Sequence, residues 1–183
     1  IKDIDKNKLY EFLREMEFNR LLSQVISFYG DPDNETSNIE IKSKIFFNIN
    51  VKSYKSILNE KELDELIKNL NEKTVIAVDT ETSSLNPQEA QLIGISISYA
   101  TNASFYIPIG HTNIKCLKKD LVLGKLKKIL EDPSIKKVCQ NTKYDFIVLK
   151  NHGVELNPVE DTMLLSYTLD AGNNRHNMNT LSE

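Results

Sequence analysis

The sequence has few of the residues that mark disulfide-rich, zinc-binding or membrane-spanning proteins. Its two cysteines, Cys116 and Cys139, show neither a pairing pattern nor zinc-ligand spacing, which excludes a disulfide framework and fits a reducing cytoplasm. No apolar run comes near the roughly 20 residues that a membrane span requires. We therefore expect a cytoplasmic protein that does not contact a membrane.

Arginine is also scarce, and Arg14, Arg20 and Arg175 stand against abundant lysine. The formal net charge of −3 argues against a protein that holds nucleic acid by bulk electrostatics alone. Lysines are nevertheless concentrated over residues 115–143. This basic segment is typical either of a surface that faces a phosphate backbone or of a solvated helix face, and both interpretations stay open.

The first 44 residues predict a helical appendage followed by a linker. Apolar residues follow helical spacing on both sides of Asn19, so we expect two short helices over residues 1–29, the second of them capped by Asn19. Residues 30–44 hold turn formers and almost nothing apolar, which is typical of a linker. Because the chain opens at Ile1 without a basic-then-apolar leader, we expect a soluble fragment of a longer protein.

Residues 45–183 predict an α/β domain. We expect an extended entry over residues 45–54, a helix capped by Asn59, and three consecutive strands between residues 75 and 109 that form an antiparallel meander. A helix that stops at Pro133, a strand over residues 136–139, a helix begun by Gln140-Asn141-Thr142, and a final helix from Asp161 to Gly172 then follow. This order predicts a mixed sheet flanked by helices, of the ribonuclease-H-like kind.

Two carboxylates end the most apolar of these strands. The run Val75-Ile76-Ala77-Val78 is followed by Asp79 and Glu81, which the side-chain period of two places on one face of the strand. Like charges aimed at one point are costly unless protons or cations neutralise them, and oxygen ligands select hard ions such as Mg²⁺ or Mn²⁺. The pair is equally typical of two solvated acids at the end of a strand.

A third acid, Asp145, falls in the first turn of a helix that follows the strand over residues 136–139. In mixed α/β sheets ligands gather beyond the carboxyl ends of strands, so Asp145 can reach the point at which Asp79 and Glu81 aim. Three carboxylates could hold two cations about 3.5 to 4 Å apart for a phosphoryl displacement. An acid in a first turn is also favoured by the helix dipole alone.

These residues form two motifs. Asp79-Thr80-Glu81-Thr82 with Leu85, followed by Gln140-Asn141-x-Lys143-Tyr144-Asp145, closely resembles the first two motifs of the 3′→5′ proofreading exonuclease domain of bacterial DNA polymerase I, in the DEDD exonuclease superfamily. The resemblance covers roughly residues 50–183, while residues 1–29 resemble the end of the family's 5′-nuclease region. It implies a bacterial polymerase chain in cis and a single-stranded 3′ end of DNA as partners.

The resemblance also implies roles for single residues. Asp79, Glu81 and Asp145 would be the catalytic residues and would bind two Mg²⁺ or Mn²⁺ ions, releasing 5′-nucleotides. Leu85 would wedge against the terminal base, although a loop leucine can equally return to the core. The remaining substrate contacts would come from Gln140, Asn141, Tyr144 and Arg175, for which a helix cap at Asn141, a core position for Tyr144 and a free surface arginine are the alternatives. Asp161 is expected to cap its helix.

Part of the family pattern would come after Glu183, namely a third motif, Tyr-x-x-x-Asp, with a fourth acid and a water-orienting tyrosine. We therefore expect little nuclease activity from these 183 residues alone. Three rivals stay open. One is a non-catalytic DNA-binding or spacer domain. Another is an RNA-trimming relative, which is disfavoured by the resemblance of residues 1–29 to a 5′-nuclease region and not by the site itself. The third, a haloacid-dehalogenase-like phosphatase, is disfavoured because its Asp-x-Asp-x-Thr pattern is not matched by Glu81 and Thr82.

Overall fold

The computed structural model describes residues 4–30, 54–172 and 175–182. The chain divides into two compact units, Ile1–Phe46 and Phe47–Glu183. Apart from Gly30 and Tyr54, the predicted linker over residues 30–44 and the predicted extended entry over residues 45–54 lie outside the described residues.

The first unit contains two helices, α1 (Lys6–Glu15) and α2 (Asn19–Tyr29). Tyr10 is buried and its hydroxyl donates a hydrogen bond of 2.6 Å to the Gly30 carbonyl, which closes the helical pair. The prediction that Asn19 caps α2 is wrong. Glu17 adopts the left-handed conformation with φ 55°, so the second helix restarts at Asn19 itself, and Phe18 occupies the cap position without a side-chain bond among the described atoms.

The second unit is built on a mixed sheet. Within residues 54–172 and 175–182 this sheet has six strands in the order β1-β4-β3-β2-β5-β6. The strands are β1 (Lys55–Ser56), β2 (Val75–Thr82), β3 (Leu92–Ala100), β4 (Ala103–Pro108), β5 (Lys136–Cys139) and β6 (Val159–Asp161). The β2, β3 and β4 strands pair antiparallel, whereas β5 runs parallel to both β2 and β6. The predicted meander and the strand reached by a crossover are both confirmed.

The second unit also contains helices. They are α3 (Glu60–Leu70), α4 (Lys119–Leu130), α5 (Thr142–Asn151), α6 (Thr162–Leu169) and the short α7 (Met178–Leu181). The predicted cap of α3 is confirmed, because Asn59 Oδ1 accepts from the Glu62 N–H at 3.0 Å, and the Glu62 carboxylate accepts from the Leu58 N–H at 2.9 Å. The ribonuclease-H-like architecture follows from this arrangement of helices on a mixed sheet.

Three elements near the end of the chain, α6, β6 and α7, differ from expectation. The final predicted helix, Asp161 to Gly172, is shorter, because Asp161 is the cap of α6 and the helix ends at Leu169. The strand β6 and the helix α7 have three and four residues, too few for a periodic pattern to show in the sequence. Gly153 follows the end of α5 in the left-handed conformation, with φ +81°.

One face of the sheet is buried and the other is open, and this division positions the site. Along β2, Ile76, Val78 and Thr80 are buried, while the alternate residues are exposed. The buried face packs on α3 and α4 through a continuous apolar cluster that includes Leu63, Leu66, Leu70, Val122, Leu126, Ile95 and Ile97. Each fully buried apolar side chain of this size contributes about 1.5–3 kcal/mol to the free energy of folding. The buried face therefore stabilises the fold, and the open face is available to bind ligands.

A buried lysine binds backbone carbonyl groups at the end of α4 and in the turn that leads to β5. Lys137 is completely buried, and its Nζ donates to the backbone carbonyls of Ile129, Asp132 and Ile135 at 3.3, 2.8 and 2.6 Å. Burial lowers the pKa of the Lys137 ammonium group. Its neighbour Lys136 is exposed and pairs with Glu160 at 2.5 Å. Lys137 is therefore a structural residue of the turn.

Candidate active site

The predicted carboxylate pair lies on the open face of the sheet. Asp79 and Glu81 alternate with the buried Thr80 on β2, so both side chains project from the exposed face. Their cross-strand partners on β3 are Ser96 and Gly94, residues too small to cover them. The sequence prediction that the two acids share one face is confirmed.

The third acid approaches β2 from its edge. Strand β5 pairs with β2 only as far as Ala77, opposite Val138, and α5 then carries Asp145 to the unpaired edge beyond. There Asp145 Oδ1 accepts from both the backbone N–H and the hydroxyl of Thr80, the former at 3.0 Å and the latter at 2.6 Å. Because a strand N–H lies in the plane of the sheet, the Asp145 carboxylate sits at the strand edge, one residue away from both Asp79 and Glu81.

The electrostatics of Asp145 and Asp79 favour protons or cations. Burial raises the pKa of the Asp145 carboxyl to about 6, and the charge of Asp79 adds to the rise, whereas the hydrogen bonds from Thr80 oppose it. The pKa of Asp79 is raised as well, because neighbouring strand atoms remove part of its hydration although the side chain reaches solvent, and because Glu81 lies beside it. A divalent cation would relieve both effects.

The donor set suits a hard cation, but the three acids are not drawn together around one point. Among the residues that the structure describes, no group of three or more His, Cys, Asp or Glu side chains is arranged to hold a metal ion. The arrangement is a pair of acids on the face and a third acid at the edge, bound to Thr80 through Oδ1. Carboxylate oxygens are nevertheless the ligands that Mg²⁺ and Mn²⁺ take in proteins.

The amino terminus of α5 is held by an unexpected residue. Asn141 has left-handed geometry with φ 60° and makes no capping bond among the described side chains, so the expected Asn141 cap is wrong. Asp161 takes that role, since its two oxygens accept from the N–H groups of Asn141 at 3.1 Å and Thr142 at 2.8 Å. The same carboxylate caps α6 as predicted, through Met163 at 2.9 Å and Leu164 at 3.3 Å. The exposed Asn141 side chain is thereby left for other contacts.

The loop after β2 presents one fully exposed apolar side chain. Leu85 is 97% exposed, so the alternative in which it returns to the core is wrong. Tyr144, partly buried against the core, bonds through its hydroxyl to the Ser84 carbonyl and to Thr82 Oγ1. The loop is therefore tied to α5, which carries Asp145. Sequence reasoning gave Thr80 and Thr82 no role, since a threonine beside an acid carries no distinguishing pattern.

Two clefts flank the acids. One, of about 290 Å³, is lined by Asp79, Ser96, Gln140 and Met178, and the other, of about 360 Å³, by Glu81, Leu85 and Tyr144. The Gln140 amide is engaged at both ends, because its Nε2 donates to the His176 carbonyl at 2.8 Å and its Oε1 accepts from the Thr162 hydroxyl. Arg175 is exposed beside the buried His176.

Four of the nine lysines of residues 115–143 are paired or buried within the unit. Lys125 bonds both Glu60, at 2.9 Å, and Asp64, and Lys127 lies 3.6 Å from Glu131. Lys136 is paired and Lys137 is buried, so these four lysines are engaged within the unit. Only Lys125 and Lys127 lie on a helix, α4.

The order of this sheet and the helices packed on it define a ribonuclease-H-like fold, and the comparisons show the family within it. Residues 54–183 match the family model described as 3'-5' exonuclease, so the chain belongs to that family. Among related proteins, DNA polymerase I of Pseudomonas aeruginosa is 33% identical over 98% of this chain and 21% of its own length. DNA polymerase I of Rhizobium leguminosarum is 37% identical over 72% of this chain and 15% of its own length. The chain thus spans about a fifth or less of these relatives.

Solved structures show the same fold. Escherichia coli RNase D, an exoribonuclease involved in structured RNA processing, has a TM-score of 0.53 at 25% identity, over 66% of this chain and 30% of its own. Brucella melitensis NrnC with bound Mg²⁺ has a TM-score of 0.51 at 25% identity, over 68% of this chain and 56% of its own. Over the described residues, the helices are too short or too polar for any of them to cross a bilayer.

Proposed function

We propose that this chain is the 3′→5′ exonuclease region of a DNA polymerase I and that it removes nucleotides from the single-stranded 3′ end of DNA. The observation that carries the proposal is the placement of Asp79 and Glu81 on the open face of β2, with the buried Asp145 fixed to Thr80 between them. The match to DNA polymerase I extends over 98% of the chain in the Pseudomonas protein. We accordingly assign residues 1–29 to the end of a preceding 5′-nuclease region, residues 30–44 to a linker and residues 45–183 to the exonuclease domain.

Asp79, Glu81 and Asp145 are the residues that would hold Mg²⁺ or Mn²⁺. Bound there, such ions would generate a hydroxide at neutral pH and offset charge on the leaving oxygen. The chain itself supplies the positions. Both Thr80 donors bind Asp145 Oδ1, which leaves Oδ2 as the oxygen that a ligand would meet and fixes the orientation of the carboxylate.

The clefts provide room for the end of a nucleic-acid strand. The exposed Leu85 would pack on the terminal base, and Tyr144 would hold the Leu85 loop in place through Ser84 and Thr82. The exposed Asn141 would bond the terminal nucleotide, and the exposed Arg175 a backbone phosphate. Gln140 would line the strand path through its side-chain stem, since both ends of its amide are already bonded.

The test is hydrolysis of 5′-labelled single-stranded oligonucleotides in Mg²⁺. We expect weak activity from the 183-residue chain and stronger activity from a longer polypeptide that continues past Glu183, with labelled products that shorten from the 3′ end. Asp79→Ala should abolish the activity of the longer polypeptide, whereas Glu155→Ala, an exposed acid after α5, should not change it. Equal activity of the Asp79→Ala variant and the unmodified polypeptide would refute the proposal.

The same assay separates DNA from RNA trimming. Oligonucleotides that differ only in a terminal deoxyribose or ribose would be compared side by side, because a protein distinguishes the two sugars through contacts to the 2′ position. We expect the deoxyribose end to be removed faster. Faster removal of the ribose end would favour an RNA-processing role of the kind that the RNase D name describes for that protein.

A further inference from the structure

A tyrosine and a histidine outside both sequence motifs stand on the open face beside Glu81. The register of the meander pairs Glu81 with Gly94, and Ser96 with Tyr106. Residues 94 and 96 share one face of β3, as the period of two requires, and therefore Glu81 and Tyr106 project from the same side of the sheet. Tyr106 lies one strand farther from β2, on the diagonal.

Gly94 provides the space that brings the tyrosine toward the acid. A Cβ at position 94 would overlap the Tyr106 hydroxyl oxygen, so the phenol ring extends across the glycine with its hydroxyl directly above it. Paired Cβ positions in an antiparallel sheet are about 4.5–5.5 Å apart. The hydroxyl lies close to where a Gly94 Cβ would be, and it is therefore about 5 Å from the Glu81 Cβ. The Glu81 carboxylate can reach a group at that distance.

His111 holds the tyrosine in this position. Its Nε2 lies 2.6 Å from the Tyr106 hydroxyl, and the two rings meet edge to face with centroids 5.8 Å apart. The loop that carries His111 is anchored, because the N–H groups of Ile109 and Gly110 both donate to the Ile93 carbonyl at 2.8 Å. Tyr106 is thus fixed at both ends, by its strand and by His111.

The charge of Glu81 also acts on the Tyr106 phenol. Partial burial raises the pKa of the Tyr106 hydroxyl, and the charge of Glu81 raises it further. This agrees with the short separation that the strand register gives.

We propose that Tyr106 is a positioning residue for Glu81, and that His111 orients it. Among the described residues the Tyr106 hydroxyl bonds His111 and not Glu81. The inference is that, with the His111 Nε2–H donating to the Tyr106 oxygen, the Tyr106 O–H is free to turn to the Glu81 carboxylate and fix its rotamer. The inference rests on the proposed function, in which Glu81 is a cation ligand. Residues that orient a ligand in this way typically change metal affinity by about 10- to 100-fold when they are removed.

The experiment is a Mn²⁺ titration of the 183-residue chain by calorimetry, with thermal unfolding recorded for each variant. We expect Tyr106→Phe to raise the Mn²⁺ dissociation constant by about tenfold without lowering the unfolding temperature, because only a hydroxyl is lost. Tyr99→Phe removes a hydroxyl from the same sheet and should leave the affinity unchanged. His111→Ala should behave as Tyr106→Phe does, and His111→Gln, which keeps an N–H donor, should recover most of the affinity.

A double variant separates positioning from a general effect. In a Glu81→Gln background the Tyr106→Phe change should have no further effect, because the carboxylate that it orients is gone. An equal loss of affinity in both backgrounds would overturn the inference, as would an unchanged affinity for Tyr106→Phe alone. If Glu81→Gln and Asp79→Ala each bound Mn²⁺ as the unmodified chain does, the proposed function itself would fail and this inference with it.

Discussion

The buried Asp145 should make the stability of the metal-free chain depend on pH in a specific direction. Its pKa of about 6 in the folded protein exceeds the roughly 3.9 of an unfolded aspartate. The folded state therefore keeps the proton to a higher pH than the unfolded state does. The contribution of this group to stability is fully present below about pH 4 and is lost as the pH rises through about 6, by about 3 kcal/mol in all.

Asp145→Asn isolates this contribution. An asparagine Oδ1 can accept the same two hydrogen bonds from Thr80 but does not titrate. Urea denaturation in EDTA at a series of pH values from 4 to 7.5 should therefore show the unmodified chain weakening relative to the variant by about 3 kcal/mol as the pH rises. A stability difference between the two proteins that stays constant over this range would refute the reasoning.

Thr80→Val tests the hydrogen bond that opposes the rise in the Asp145 pKa. It removes the hydroxyl that bonds Asp145 but keeps the backbone N–H. Because the hydroxyl bond lowers the Asp145 pKa, its loss should raise that pKa further and move the loss of stability to higher pH. A shift toward lower pH would contradict the assigned contact.

Three further changes test the structure at other points. Lys137→Met leaves three backbone carbonyls without their donor and should cost on the order of 2–4 kcal/mol in urea denaturation, whereas Lys136→Met, at an exposed ion pair, should cost under about 1 kcal/mol; similar losses would contradict the burial of Lys137. Asp161→Ala removes the acceptor for the first N–H groups of both α5 and α6 and should cost about 2–4 kcal/mol, and a loss near zero would show that neither helix depends on it. Leu85→Ala should leave stability unchanged but weaken binding of a 5′-labelled single-stranded oligonucleotide by about tenfold in fluorescence anisotropy. Leu169→Ala, which is also highly exposed, should bind normally, and equal binding by both variants would remove the wedge role.

Local patterns predicted most of the fold. The alternation along β2, the run of three strands and the Asn59 cap each depend on residues close together in the chain, and each was found where the sequence placed it. The short β6 and α7 were not predicted, because three or four residues are too few to show a periodic pattern. The predictions that Asn19 and Asn141 cap their helices were wrong because Glu17 and Asn141 adopt left-handed conformations. Such a residue changes which N–H groups a nearby side chain can reach.

The site was predictable only in part, because its contacts join distant segments. The shared face of Asp79 and Glu81 follows from strand geometry alone. The bond from Asp145 to Thr80 spans 65 residues, and Asp161 reaches the start of α5 from 19 and 20 residues away. Tyr106 lies in the segment Tyr106-Ile107-Pro108, which also resembles the exonuclease family, but the relation of Tyr106 and His111 to Glu81 could not be predicted. That relation depends on the strand register and on the missing side chain at Gly94.

The most direct test of the central claim is calorimetric titration of Mn²⁺ into the chain at neutral pH, beside its Asp79→Ala variant. If the acids on β2 and α5 hold divalent cations, the unmodified chain should give a saturable binding heat that the variant loses. Equal heats from the two proteins would mean that no cation binds at Asp79, and the proposed exonuclease site would have to be abandoned.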